Sequence, residues 1–189
     1  MHSEGETIFH LAIANYDESV CLELVKCFVG AGGNTTICNS KGESALYTAV
    51  RRGYTPVTEL LISHKVPLPH DILPFALQQH SSPQLVRLLS CNGADMRSIS
   101  PEGETVFQLA IANYNESTCL ELVKIFVEAG GNTDVCNSTG ESVLQTAFAH
   151  GYISVVELLF SHDNPLDIQP RIQQEPCLYC VLHSCGENP

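Results

Sequence analysis

The chain has 189 residues, 44% hydrophobic and 16% charged, the balance of a folded globular protein and not of a disordered one, and no run of apolar residues is long enough to span a bilayer. Nine Lys and Arg against 21 Asp and Glu leave a formal net charge of −12, which repels phosphate and argues against nucleic acid or an anionic membrane as a partner. Nine cysteines, an odd number, stand in a chain whose opening MHSEGETIFH lacks the basic-then-apolar pattern of an export signal, so reduced thiols and an intracellular location, cytoplasmic or nuclear, are expected.

The first predicted element begins in GETIFHLAIANY, from Gly5, where Thr7 is placed to cap a helix of about two turns. A second helix follows, with Cys21, Leu24, Val25 and Phe28 at i, i+3, i+4 and i+7, the spacing of one apolar helix face. Glycines in GGNTTICNSKG stop that helix with left-handed backbone, and the polar stretch closed by Gly42 forms a projecting finger. GESALYTA then restarts the pattern behind Ser44, with Val57, Leu60 and Leu61 on a shorter second helix. A degenerate unit, ILPFALQQHSSPQLVRLLSCNGAD, keeps Leu85, Leu88 and Leu89. GETVFQLAIANY, from Gly103, brings Thr105 as cap and Cys119, Leu122, Val123 and Phe126 as apolar stripe. GESVLQTA, from Gly140, closes the series with Ser142 as cap and Val155, Leu158 and Leu159 behind it.

Gly5–His64 and Gly103–His162 agree at roughly two thirds of their positions, a self-similarity that ranks above every other feature. Each copy also carries a shorter echo 37 residues on, from Gly5 to Gly42 and from Gly103 to Gly140. The order is therefore five units, over about 1–39, 40–69, 70–100, 101–137 and 138–168, with a Cys-rich tail over 169–189 that caps the last unit or is disordered. Helix pairs this short cannot bury an apolar face alone, and stacking on neighbours is the physical remedy. What is duplicated is a block of structural units and not an active site.

The motifs carry a family resemblance. Glycine, then Ser or Thr two residues on, then an apolar pair and Ala resembles the G-x-T-P-L-H-x-A opening of ankyrin repeats. GYTPVTELLISH and GYISVVELLFSH resemble that family's second helix, and NGADMRSISPEGETVF is similar to its finger. The resemblance covers about residues 3–168 and implies an all-α solenoid of stacked helix-turn-helix units with finger loops. The chain departs from the pattern in lacking the proline after the capping hydroxyl. It has an insertion of about one turn in units one and four (NYDESVCLEL, NYNESTCLEL), and shortened proline-bearing loops at HKVPLPHD and HDNPLDIQ.

Catalytic signatures are absent: there is no G-x-S-x-G, no H-E-x-x-H and no glycine loop ending in Gly-Lys. Non-catalytic action without cofactor, metal or small-molecule substrate is expected. Cys21 and Cys119 fall on apolar helix faces as small hydrophobes, and Cys27, which replaces Ile125 of the other copy, is also expected to pack. Cys38 and Cys136 lie three units apart, about 30 Å for stacked helices, beyond disulfide reach. The sequons at Asn34, Asn115 and Asn137 are expected to carry no glycan. In the tail, Cys177, Cys180, His183 and Cys185 offer soft ligands, but His183 and Cys185 are too close for easy tetrahedral closure; covering the end of the last unit is the expected role.

The resemblance also implies where a partner binds. First helices and fingers of ankyrin repeats line a concave face, with contacts flanking the finger glycine and the end of the first helix. On this sequence those positions are Glu6, Tyr16, Lys41, Glu43, Arg51, Arg52, Gln78, Gln79, Glu104, Tyr114, Glu141 and His150. A protein partner with a basic segment would complement the glutamates. The alternatives are a structural segment of a larger ankyrin-containing receptor or scaffold, end-to-end docking on another ankyrin array through the first unit, and a metal-binding or redox protein acting through the tail.

Overall fold

The computed structural model describes residues 7–162, in which ten α-helices form five consecutive pairs. These are α1 (Ile8–Asn15) with α2 (Glu18–Gly30), α3 (Ala45–Arg52) with α4 (Thr55–Ser63), α5 (Ile72–Gln78) with α6 (Pro83–Cys91), α7 (Val106–Asn113) with α8 (Glu116–Glu128), and α9 (Val143–Ala149) with α10 (Ile153–His162). The odd-numbered helices touch in succession, as do the even-numbered ones, so two parallel rows build one solenoid. The tail and Glu6 lie outside the described residues.

Local chemistry explains the helix starts. Thr7, Ser44, Thr105 and Ser142 each occupy the N-cap in extended backbone. The hydroxyls of Thr105 and Ser142 accept from the amides of Gln108 and Gln145, and those side chains reach back to the cap amides, a reciprocal capping box. His10 does the same with Nδ1, which accepts from the Thr7 hydroxyl at 2.7 Å. The second unit has Tyr47 at this position instead, no box forms, and the buried Ser44 hydroxyl has no partner among the described residues. The extra turn in units one and four is real: α2 and α8 run 13 residues against 9 for α4 and α6. Their caps, Asp17 and Asn115, each accept an amide at 3.0 Å. Hydrogen bonds from Val20 and Ser19 hold the Asp17 carboxyl below its ordinary range.

Close packing accounts for the second glycine of each Gly-Gly pair. A Cβ on Gly131 would lie 2.8 Å from the Phe126 carbonyl and 2.9 Å from the Phe107 ring, and Gly33 faces the same obstacles in Phe28 and Phe9. Three fingers are closed by single antiparallel bridges, Cys38 to Ser44, Ile99 to Thr105 and Cys136 to Ser142. The side chains of Asn39 and Asn137 tie these turns internally by accepting two backbone amides each. No finger stands between α4 and α5; a short loop turns there through Lys65 at φ 60°.

The core has two parts. Units one and two share Phe9, Ile13, Cys21, Val25, Leu46, Val57 and Leu61. Units three to five share a larger body centred on Phe107 and Phe126, which Val50 of α3 joins from across the boundary. At that boundary Tyr47 packs edge-on against Phe75 at 5.1 Å and donates to the Asp71 carboxylate. Burial first, then that bond, raises the Tyr47 phenol above its ordinary range.

Candidate functional site

Successive units are tied by a repeating set of polar bonds, which engage some of the predicted contact residues within the chain and leave others exposed. His10 Nε2 lies 2.9 Å from the Glu43 carbonyl, and Gln108 Nε2 donates to the Glu141 carbonyl at 2.8 Å. His10 and Gln108 are both 1% exposed. Because Nδ1 of His10 accepts at the cap, its Nε2 carries the proton, a tautomer inferred from its partners. Each side chain thus links its own helix start to the finger of the next unit. At the other helix end, Tyr54 donates to the Tyr16 carbonyl at 3.0 Å and Tyr152 to the Tyr114 carbonyl at 2.7 Å.

The basic pair is used within the chain. Arg52 donates to the carbonyls of Ile13 and Ala14 at the end of α1, and its guanidinium lies over the Tyr54 ring. This is a C-terminal cap supplied by the neighbouring unit. Arg51 pairs with the Glu43 carboxylate and lies over Phe75.

The remaining predicted positions separate in the same way. Tyr114 is half-buried and donates to the Ser81 carbonyl at 2.9 Å; burial pushes its phenol up to about 12. Tyr16, its counterpart, is 50% exposed. Gln78 donates to Glu102 on the following finger, and that exposed carboxyl is held below its ordinary range by the Ser100 hydroxyl. Lys41 and Gln79 are exposed. His150 is exposed too, with Nδ1 at 2.9 Å from the Thr146 carbonyl. Glu104 and Glu141 are half-buried at matching finger bases and stand in no ion pair among the described residues. Glu43, Glu104 and Glu141 therefore recur at one place in the repeat, and among the described residues only Glu43 has a cation beside it.

Sequence reasoning missed His10 and Gln108 as inter-unit bridges. The available signal was their place three residues after a capping hydroxyl, where Gln145 recurs.

Cys21 and Cys119 are fully buried, as their helix faces predict, and burial pushes the Cys119 thiol up to about 12 and raises that of Cys21. Cys27 differs from its expectation: it is exposed, because the unit that covers Ile125 has no counterpart beside α2 among the described residues. Cys38, Cys91 and Cys136 are free and exposed. Among the described residues no cluster of three His, Cys, Asp or Glu could hold a metal ion, and no helix is long and apolar enough to cross a membrane. An open groove of about 300 Å³ lies between α1 and α2 at the end of the stack.

Known proteins share this arrangement. A family model for ankyrin repeats, in three copies, matches residues 73–172. The E3 ubiquitin-protein ligase KEG of Arabidopsis thaliana is 26% identical over 175 residues, which are 86% of this chain; the chain spans 10% of that relative's length. An ankyrin repeat domain from Acinetobacter baumannii AYE has a similar fold, with a TM-score of 0.70 at 21% identity, over 83% of this chain and 81% of that one. The ankyrin repeat protein EF0377 is similar at a TM-score of 0.68 and 20% identity, over 84% of this chain and 82% of that one.

Proposed function

The chain belongs to the ankyrin repeat family, whose repeats are generally non-catalytic protein–protein interaction modules, and on that premise we propose that it binds a protein partner carrying a basic segment across its concave face. The binding surface comprises the fingers and the odd-numbered helices. The observation that carries the reading is the charge on that surface. Both arginines of the only basic pair in the sequence are engaged inside the chain, while Glu104 and Glu141 repeat at finger bases with no cation beside them among the described residues, in a protein of net charge −12. A Lys- or Arg-bearing segment complements such a ladder. The exposed Lys41, Gln79 and His150 border it and supply polar contacts, and Tyr16 extends it at the first unit. The proposed setting is the cell interior, cytoplasmic or nuclear, with no nucleic acid, membrane, cofactor or small-molecule substrate involved. The 10% span of the matched ligase favours a second reading, in which the array is one structural segment of a larger scaffold.

Affinity capture from cell lysate tests the charge argument, with the wild-type chain beside Glu104→Lys/Glu141→Lys and circular dichroism to confirm that both are folded. The expected result is a protein retained by the wild type at low salt, released at high salt and not retained by the variant. Identical retention by both chains contradicts the reading.

A further inference from the structure

Three of the six large hydrophobic side chains exposed among the described residues, Ile8, Tyr16 and Val20, belong to the first unit, and Ile8 and Tyr16 line its α1–α2 groove with Leu11, Leu24 and Phe28. The duplication says what such a face does when it is occupied. Ile8, Leu11, Leu24 and Phe28 are the counterparts of Val106, Leu109, Leu122 and Phe126, all of which are at most 1% exposed in unit four. What covers them is the third unit: α5 meets α7, α6 meets α8, and Leu73, Leu77, Leu85 and Leu89 join the same core.

We infer that the α1–α2 end face, which no unit covers among the described residues, is a docking surface for a helix pair with the chemistry of the third unit. The polar contacts specify the occupant as closely as the apolar ones do. Tyr114 donates to the Ser81 carbonyl, His80 Nδ1 lies 3.0 Å from the Asn113 carbonyl, and the His80 and Tyr114 rings meet at 5.9 Å. Tyr16 and Asn15 hold the matching positions, and Tyr16 has the same extended backbone as Tyr114, with φ −117° against −127°. The occupant therefore offers an aliphatic helix pair, a backbone carbonyl for the Tyr16 hydroxyl and a donor for the Asn15 carbonyl. One contact is not required of it. Arg87 of unit three pairs with Glu128 at 2.9 Å, but unit one has Gly30 at that place, so no guanidinium is needed there. The third unit of a second copy cannot serve, because both its sides are already covered by units two and four.

The test compares the full chain with an extended chain in which a further copy of residues 65–102 precedes Gly5, reproducing the natural junction at Gly103. The full chain should sediment as a monomer with Cys27 freely alkylated. In the extended chain, alkylation of Cys27 should slow by about tenfold or more. The melting temperature should rise by about 5 °C or more. Tyr16→Phe should then lower the melting temperature of the extended chain and leave that of the full chain unchanged. An unchanged or lower melting temperature, or equal Cys27 reactivity in both chains, overturns the inference. Slow Cys27 alkylation in a monomeric full chain also overturns it, by making a segment of the chain itself the occupant. A dimer of the full chain that Leu24→Asp dissociates does so in favour of a second copy.

Discussion

Units one and four have nearly the same sequence and different surroundings. Phe28 is half-buried and Phe126 wholly buried; Leu11 is half-buried and Leu109 is 1% exposed; Cys27 faces solvent where Ile125 is covered. The helix pattern, the first-helix capping boxes and two bonds toward the following unit recur in both, the link from His10 or Gln108 to the next finger and that from Tyr54 or Tyr152 to the end of the first helix, whereas the Arg52 cap of α1 has no equivalent at His150. In a solenoid, therefore, a residue's burial depends on its place in the unit and equally on which neighbours the unit has. The duplicated sequence supplies an internal control, because the side chain is held constant while its cover changes.

Truncating the paired phenylalanines should break this symmetry most strongly. Phe126→Ala should cost about 3–5 kcal/mol and Phe28→Ala roughly half as much, measured by urea denaturation. Equal costs would mean that the third unit adds nothing to the packing of unit four.

The bridging side chains should behave in the opposite way, since His10 and Gln108 are equally buried and do the same work. Gln108→Ala and His10→Ala should each cost about 2 kcal/mol by leaving buried partners unmade. His10→Gln should be close to neutral, because glutamine already makes both bonds in unit four. A His10→Gln chain as unstable as His10→Ala would show that the imidazole does something the amide cannot.

A smaller effect separates the tyrosines. Tyr114→Phe should cost about 1 kcal/mol for the lost bond to Ser81, while Tyr16→Phe should be silent in the full chain. The Tyr114 phenol titrates near 12 in the folded protein and near 10 unfolded. Its folded form holds the proton more tightly, so its contribution is complete below about pH 10 and fades as pH rises through 12. Stability measured across that window should fall less in Tyr114→Phe than in the parent chain. Thiol alkylation followed by peptide mapping gives the last contrast, with Cys27 reacting quickly and Cys119 only when the chain opens.

Much of this architecture was legible in the residues. A hydroxyl before each first helix, the i, i+3, i+4, i+7 stripe of Cys119, Leu122, Val123 and Phe126, and the finger glycines are local signals, and local geometry follows them. The candidate surface was less legible. Arg52 reads as an exposed cation, yet its partners lie 38 and 39 residues earlier, on a helix end that only stacking brings near. Tyr114 reads as an interface anchor because its bond to Ser81 depends on the third unit, whose sequence is the most degenerate of the five. Asn137 and Asn115 read as sequons, whereas one ties a finger and the other caps α8. In each case the residue type was visible and the neighbour was not.

Native-state amide hydrogen exchange reads the effect of a neighbouring unit within one sample, by comparing α1–α2 with α7–α8. Exchange should be slower throughout α7–α8, with α1–α2 opening at lower free energy because no unit covers its outer face among the described residues. Equal protection of the two helix pairs would contradict it, since near-identical sequences would then owe their stability to themselves and not to their neighbours.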